Sequence, residues 1–128
     1  MDITIHGEVR SKKNSRIIAR VGARFRSFPS TAYQRFCNEA KQEIMIQKAT
    51  PIDPPYEVWY RFYLKGNKRI DLDNAVASIN DILQEMRVIT DDNEILHLHA
   101  RKIAKCTENQ TVVTILRARY EENESIGK

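Results

Sequence analysis

The sequence predicts a single α+β domain, built on a mixed sheet of about five or six strands and two main helices. A chain of 128 residues is long enough for one core, which buries roughly 65% of the surface that the unfolded chain exposes. Two segments repeat apolar residues at helical spacing, and several shorter ones alternate apolar and polar residues as strands do. Because no internal repeat or low-complexity linker divides the chain, we expect one domain over residues 1–128.

The composition, with 41% hydrophobic and 30% charged residues, is typical of a soluble globular protein. No apolar run approaches the ~20 residues that cross a bilayer, and the opening MDITIHGE lacks the basic and apolar regions of a signal peptide. We therefore expect a cytoplasmic location and no membrane partner. Cys37 and Cys106 lack CxxC spacing, which predicts two reduced core residues rather than a disulfide.

Positive charge is concentrated at the start of the chain. Residues 1–35 contain eight Lys or Arg residues and two acidic ones, or +6, whereas the whole chain carries +4. Such a segment favours a polyanion, because phosphates neutralised by basic side chains release condensed counterions. We predict that residues 1–35 form a basic, DNA-contacting arm and hairpin; a solvated charged face is the alternative.

The first half of the chain predicts a strand, a hairpin and a helix. The segments are Asp2–Glu8, the hairpin pair Arg16–Arg20 and Arg24–Phe28, and the helix Thr31–Lys48. Gly7 ends the first strand, and Val21-Gly22-Ala23 supplies the hairpin turn. Ser30 or Thr31 can cap the helix, with Thr31 and Gln34 as a capping box, and Pro51 lies beyond its end.

The second half predicts a central strand, a helix and two further strands. The segments are Tyr56–Leu64, Asn74–Met86, Ile95–Lys105, Thr111–Tyr120 and a polar tail over 121–128 that frays. The central strand is bulky on both faces, so Trp59 and Tyr63 are predicted to fill the core rather than stack on bases. Ser78 and Asn80 are predicted on the outer face of the helix.

The last two strands, joined by CTENQ, are predicted to form an antiparallel hairpin. His97 and His99 share a strand face, and without a third ligand an exposed face is favoured over a zinc site.

Four aspartates frame the second predicted helix, with Asp71 and Asp73 before it and Asp91 and Asp92 after it. Alternate residues of an extended segment point to one side, so Asp71 and Asp73 are expected to lie together. A return turn is expected to bring Asp91 or Asp92 back to them. Carboxylates this close repel one another unless a cation such as Mg²⁺ or Mn²⁺ offsets the repulsion. Such a site activates water and neutralises a phosphoryl group during hydrolysis.

The same aspartates also have structural interpretations. Asp73 can be a helix N-cap, and Asp91-Asp92-Asn93 can be an ordinary turn. A calcium loop is excluded because its glycine and final glutamate are missing. The DxD pattern of nucleotide-sugar transferases lacks a surrounding nucleotide-binding βαβ unit here.

In combination, RIDLDN, a helix containing Asp81 and ITDDNEI resemble the RusA family of Holliday junction resolvases, phage-derived endonucleases that cut four-way DNA junctions. The resemblance includes the first strand, the loop RSKKNSR, a helix starting near Ser30–Tyr33 and the last two strands, or roughly residues 1–118. Its specific part is the DLDN to DD spacing. One departure is that Ala77 stands where the family has a functionally important lysine, and Lys68, Arg69 or Lys13 are the candidate substitutes.

The resemblance implies a homodimer that depends on Mg²⁺, with Mn²⁺ as a substitute, and makes paired nicks in branched DNA during recombination and repair. It implies that Asp71, Asp73 and Asp92 bind the metal and hold the metal-activated water, with the role of Asp91 left open. A two-fold dimer suits the two matched cuts of a nearly two-fold junction. The expected DNA contacts are Lys12, Lys13, Asn14, Arg16, Arg20, Arg24, Arg26, Lys68 and Arg69. The alternative function is non-catalytic binding of branched DNA, in which the carboxylates only cap and turn.

Overall fold

A computed structural model describes residues 1–11 and 16–120 of the chain, with the backbone alone at 16–19, 21 and 25–29. In chain order the elements are β1 (Asp2–His6), β2 (Arg16–Val21), β3 (Arg24–Pro29), α1 (Thr31–Ile46), β4 (Tyr56–Lys65), α2 (Leu72–Glu85), β5 (Ile95–Cys106) and β6 (Gln110–Arg117). A short 3-10 turn, Asp92–Glu94, precedes β5. The predicted α+β class with two helices is confirmed. None of the helices in the described ranges is both long and apolar enough to span a membrane.

The main sheet has four strands in the order β1-β6-β4-β5. Neighbours pair antiparallel at β1–β6 and β6–β4 and parallel at β4–β5. The prediction of one mixed sheet of five or six strands is therefore not confirmed. The other two strands, β2 and β3, pair only with each other in a separate hairpin, since the tight turn at Gly22, where φ is +63°, returns the chain directly onto β2.

The predicted hairpin of the last two strands is wrong, because β4 lies between β5 and β6. The helix-facing side of β4 carries Tyr56, Val58, Tyr60 and Phe62, each at most 1% exposed, and β4 pairs with β6 on one side and with β5 on the other. The connection from β5 to β6 therefore passes the end of β4. There the Lys65 amide donates to Asn109 Oδ1 at 2.7 Å. The expectations that β4 is central and that β5 lies beside it are confirmed.

Both helices contribute to one hydrophobic core against the same face of the sheet. From α1 the buried residues are Phe36, Ala40 and Ile44, and from α2 they include Val76, Ile79, Ile82 and Leu83. The outer-face prediction for Ser78 and Asn80 is wrong, since they are 3% and 5% exposed. Asn80 can be buried because its Oδ1 accepts a hydrogen bond from the Tyr60 hydroxyl, which satisfies both polar groups.

The opposite face of the sheet is not covered by either helix. Trp59 is 42% exposed there and stacks on His99, with ring centroids 3.8 Å apart. The prediction that Trp59 fills the core is therefore wrong, because alternation puts it on the side of β4 opposite to Tyr60. The exposed position of His99 agrees with the prediction of an exposed strand face.

The ends of α1 differ slightly from the predicted ones. Ser30 is the N-cap, and its Oγ accepts from the Tyr33 amide at 3.1 Å. The capping box assigned to Thr31 and Gln34 is one residue out of register, because Thr31 already belongs to the helix. The helix ends at Ile46, ahead of Lys48, whose φ of +54° is incompatible with a continuing helix.

Candidate metal and DNA site at the start of α2

The start of α2 carries two carboxylates. Asp71 is the N-cap residue, in extended conformation, and Asp73 lies in the first turn. The helix therefore begins two residues before the predicted Asn74, so the argument from strand alternation, which placed both carboxylates on one side, does not apply. The N-cap interpretation of Asp73 is also wrong, since Asp71 holds that position. The positive end of the helix dipole still stabilises both negative charges.

These carboxylates are little used in holding the structure together. The Asp71 side chain makes no capping hydrogen bond to the helix backbone. Among the described residues, its Oδ2 accepts a hydrogen bond only from the side-chain amide of Asn74, at 3.1 Å. The Asp73 side chain is exposed and has no hydrogen-bond or ion-pair partner in the part of the chain that the structure describes. Both groups are therefore available to a ligand.

A cleft of about 180 Å³ lies beside Asp71, and we call it the α2 cleft. Its lining residues are Glu8, Val9, Arg10, Ser11, Arg69, Ile70, Asp71, Asn74 and Ala75. Glu8 Oε2 accepts from Lys68 Nζ at 2.6 Å and from Arg10 Nη2 at 3.3 Å. Lys102 Nζ donates to the Ile70 carbonyl at 3.1 Å. Basic side chains therefore lie around the acidic start of α2, and such an arrangement can bind a phosphate group.

Three residues around the start of α2 were not predicted from the sequence as part of the site. Arg10 was counted in the basic arm but not assigned to the site, although RSKKNSR contains it. Glu8 carried no signal of its own. Lys102 could not be assigned to the site from the sequence, because its contact with the Ile70 carbonyl depends on the parallel pairing of β5 with β4, which places Lys102 opposite Phe62.

The two aspartates after α2 have different roles. Asp91 Oδ1 accepts from the Asn93 amide at 2.8 Å and caps the 3-10 turn, as the turn interpretation predicts. The Asp92 amide donates to Gln84 Oε1 at 3.0 Å, which leaves its carboxylate free of that contact. Burial raises the pKa of Tyr60, the hydrogen bond with Asn80 opposes this, and the negative charge of Asp92 raises the pKa further.

Within one chain, Asp71 and Asp73 lie at one end of α2 and Asp92 at the other. Asp73 and Gln84, which contacts Asp92, are separated by about 16 Å along the helix axis at the usual rise. No group of three or more His, Cys, Asp or Glu residues that could hold a metal ion occurs among residues 1–11 and 16–120. The three-carboxylate site therefore stays a prediction. The carboxylate pair at the helix start has the right chemistry for Mg²⁺, which is usually bound by one or two carboxylates together with substrate phosphates.

Asp81, the aspartate within α2, is on the side of that helix that faces α1. Its charge contributes, after burial, to the raised pKa values of Tyr33 and Cys37. On the same side, Lys41 Nζ and Glu85 Oε1 form an ion pair at 2.7 Å. This face of α2 therefore serves the contact between the two helices.

The predicted DNA-contacting residues are only partly described. Arg20 and Arg24 are exposed at the turn of the β2–β3 hairpin, where Arg20 Nε donates to the Gly22 carbonyl at 3.0 Å. Arg16 and Arg26 are described by their backbone alone, and Lys12, Lys13 and Asn14 lie outside the described residues. The predicted polar tail, 121–128, lies outside them as well.

Two of the three candidate substitutes for the family lysine can be placed. Ala77 is exposed on α2. Lys68 is paired with Glu8, whereas Arg69 is exposed and lines the α2 cleft beside Asp71. Lys13 is outside the described residues. Of the two that can be placed, Arg69 is thus the cation that lines this cleft.

A carboxylate pair at a helix start, beside a cleft lined by arginines, fits the class of proteins that act on phosphodiesters. The family model of Endodeoxyribonuclease RusA matches residues 6–116 of the chain. The protein therefore belongs to this family of nucleases, which act on branched DNA and resolve Holliday junctions. No curated protein gives a significant match to the sequence.

Proposed function

We propose that this protein is a Mg²⁺-dependent, structure-specific endonuclease, which resolves four-way DNA junctions by paired nicks as a homodimer. Membership of the RusA family supports the reaction class. The observation that carries the proposal is the pair Asp71 and Asp73 at the start of α2, whose carboxylates cap no helix amide. Asp71 also lines the α2 cleft together with Arg10 and Arg69. Mn²⁺ is expected to replace Mg²⁺, since both favour oxygen ligands.

In this proposal each group near the cleft has a separate task. Asp71 and Asp73 hold the cation, with Asp92 as the third carboxylate. The cation, when bound, neutralises charge on the scissile phosphate and lowers the pKa of water. Arg10 and Arg69 hold the flanking phosphates by charge and hydrogen bonds, which position the strand without reading its sequence.

The direct test compares cleavage of a synthetic mobile four-way junction by the wild-type protein and by Asp71→Asn, with Mg²⁺ or with EDTA. We expect cutting with Mg²⁺, none with EDTA, and about a thousandfold slower cutting by Asp71→Asn, because several kcal/mol of charge stabilisation is removed. Junction binding, measured in EDTA by gel shift, is expected to persist in the variant.

Asp81→Asn is the matched control, since it removes a carboxylate from the same helix on the side that faces α1. It is expected to cut at close to the wild-type rate. If the wild-type protein binds the junction but does not cut it, with Mg²⁺ or with Mn²⁺ in its place, the non-catalytic alternative is supported. Unfolding of Asp71→Asn, seen by circular dichroism, supports a purely structural carboxylate.

A further inference from the structure

We infer that the face of the main sheet opposite the helices binds an unpaired DNA nucleotide, with the base stacked on Trp59 and the phosphate held between Arg61 and Arg101. We call this surface the open face. The binding goes beyond the proposed function, because the open face lies on the other side of the sheet from α2 and its contacts need no metal ion.

The aromatic part of the open face is a stacked pair of rings. β4 and β5 run parallel, and their register places Trp59 beside His99. The two ring centroids are 3.8 Å apart with an interplanar angle of 17°, and Trp59 Nε1 donates to Glu57 Oε2 at 2.6 Å. The indole is thus held on one ring face and at its edge, yet Trp59 is 42% exposed. A fixed and exposed indole is a surface on which any base can stack.

Two arginines lie next to this ring pair. Arg61 and Arg101 are in register on β4 and β5, so two positive charges lie side by side, which is unfavourable in a sheet. Arg101 is exposed and has neither a hydrogen-bond nor an ion-pair partner within the described ranges. Arg61 Nη2 donates to Thr114 Oγ1 at 2.5 Å, whereas Arg61 Nε is buried without an acceptor among the described residues. A phosphate between the two arginines offsets their repulsion and supplies acceptors for their N–H groups.

Two acidic residues on the open face are already engaged. Glu57 accepts from the indole, and it is about 13 Å from Arg61 along β4 at the usual rise of a strand. Asp2 Oδ1 accepts from the Thr114 hydroxyl at 2.6 Å, so Asp2 offsets part of the Arg61 charge through Thr114. Arg101 therefore remains the exposed cation. A nucleotide whose base lies on the indole is expected to direct its phosphate towards the arginines and away from Glu57.

A cavity of about 540 Å³ joins the ring pair to the arginines. This volume lies within the range of about 300–1,000 Å³ that is typical of small-ligand sites, so one nucleotide fits. The lining includes Trp59, Arg61, His99, Arg101, Thr114 and Leu116. An aromatic surface beside cations binds single-stranded nucleic acid with little dependence on sequence. Because a base within a duplex is already stacked on both sides, the open face is expected to select unpaired nucleotides.

The first test uses Trp59 as a reporter, because it is the single tryptophan of the chain. Its fluorescence is measured on the full wild-type chain in EDTA while a short oligothymidylate is added. We expect saturable quenching, since a stacked base contacts the indole directly. An abasic oligomer of the same length keeps the phosphates but has no bases, and it is expected to leave the emission nearly unchanged. Equal quenching by the two oligomers, or none by the oligothymidylate, overturns the inference.

The second test measures the affinity for the same oligothymidylate, labelled with a dye, by fluorescence anisotropy. Trp59→Leu is expected to bind about five- to a hundredfold more weakly, because base–aromatic stacking is lost, and Trp59→Phe is expected to recover most of the affinity. Tyr120→Leu is the matched control, since it removes another exposed aromatic side chain, beyond the end of β6, and it is expected to bind normally. A Trp59→Leu protein that is folded by circular dichroism and binds as tightly as wild type overturns the stacking site.

The phosphate contact is tested by the salt dependence of the same binding. Arg101→Gln is expected to reduce the slope of log affinity against log salt by about 0.7, the value for one phosphate contact with a single strand. Arg35→Gln is the matched control, since it removes an exposed arginine of α1, on the helix side of the sheet, and its slope is expected to equal that of wild type. An unchanged slope in Arg101→Gln contradicts a phosphate between the two arginines.

A second copy of this chain is the competing occupant of the open face. In that case the Trp59 emission changes with protein concentration in the absence of DNA and does not respond to the oligothymidylate, and this result rejects nucleotide binding. Failure of the wild-type protein to cut a four-way junction with Mg²⁺ overturns the proposed function instead. Binding to the open face is measured in EDTA, so the two failures can be distinguished.

Discussion

The two ends of α2 both carry aspartates, but the side chains at the two ends have different hydrogen-bond partners. At the N-terminal end, Asp71 caps no amide and lines a cleft that also holds two arginines, and Asp73 is exposed. At the C-terminal end, Asp91 caps a turn and the Asp92 amide is bound by Gln84. A carboxylate already satisfied by the backbone adds stability, whereas one left without such a partner is available for a ligand. The comparison therefore separates Asp91, whose carboxylate caps a turn, from Asp71 and Asp73, whose carboxylates cap no helix amide.

The largest expected effect comes from the N-terminal end, with Asp73→Asn. Cutting of a four-way junction is expected to fall about a thousandfold, because a carboxylate held for the cation is lost. The free energy of unfolding is expected to change by less than about 1 kcal/mol, since only a helix-dipole interaction is removed. Single-turnover cleavage and urea unfolding measure the two quantities.

Asp53→Asn is the control for this experiment, because Asp53 is exposed in the connection between α1 and β4. It is expected to leave both quantities unchanged. Normal cutting by Asp73→Asn contradicts the assignment of Asp73 to the metal site.

The next largest effect is a loss of stability, expected in the C-terminal half of α2, where the Tyr60 hydroxyl donates a hydrogen bond to the buried side chain of Asn80. Tyr60→Phe leaves the Asn80 oxygen without its donor in the core, at an expected cost of about 1–3 kcal/mol of unfolding free energy. Tyr63→Phe is the matched control on the other face of β4, where the expected change is below about 0.5 kcal/mol. A Tyr60→Phe protein as stable as wild type contradicts a structural role for this pair.

The same tyrosine predicts a dependence on alkaline pH. Burial holds the pKa of Tyr60 above its ordinary value in the folded protein, while the unfolded chain loses the proton near pH ~10. The free energy of unfolding that this raised pKa contributes is therefore fully present below about pH 10. It is lost as the pH rises towards the pKa of Tyr60 in the folded state. The urea midpoint is expected to fall above this pH, and to fall less in Tyr60→Phe. An equal fall in both proteins contradicts the assignment, since Tyr33, whose pKa is also raised by burial, is present in each.

How much of this could be predicted from the sequence depends on whether a feature is local. The hairpin turn at Gly22, the central position of β4 and the acidic frame of α2 follow from local patterns of alternation, glycine and charge. The insertion of β4 between β5 and β6 does not, because the short CTENQ connection is typical of a hairpin. The burial of Asn80 also could not be predicted, since it depends on a hydroxyl from β4 that no helical pattern reveals.

The smallest effect tests the turn that precedes β5. Asp91→Ala removes the side chain that accepts from the Asn93 amide, and the free energy of unfolding is expected to fall by about 0.5–1 kcal/mol, at the low end of values for helix caps. Asp91→Asn is expected to be nearly neutral, because asparagine caps as well as aspartate does. Both variants are expected to cut junctions normally, whereas Asp92→Asn is expected to cut poorly with unchanged stability. If Asp91→Asn loses cutting while it keeps its stability, Asp91 rather than Asp92 supplies the carboxylate, and the division of labour between these two neighbours is reversed.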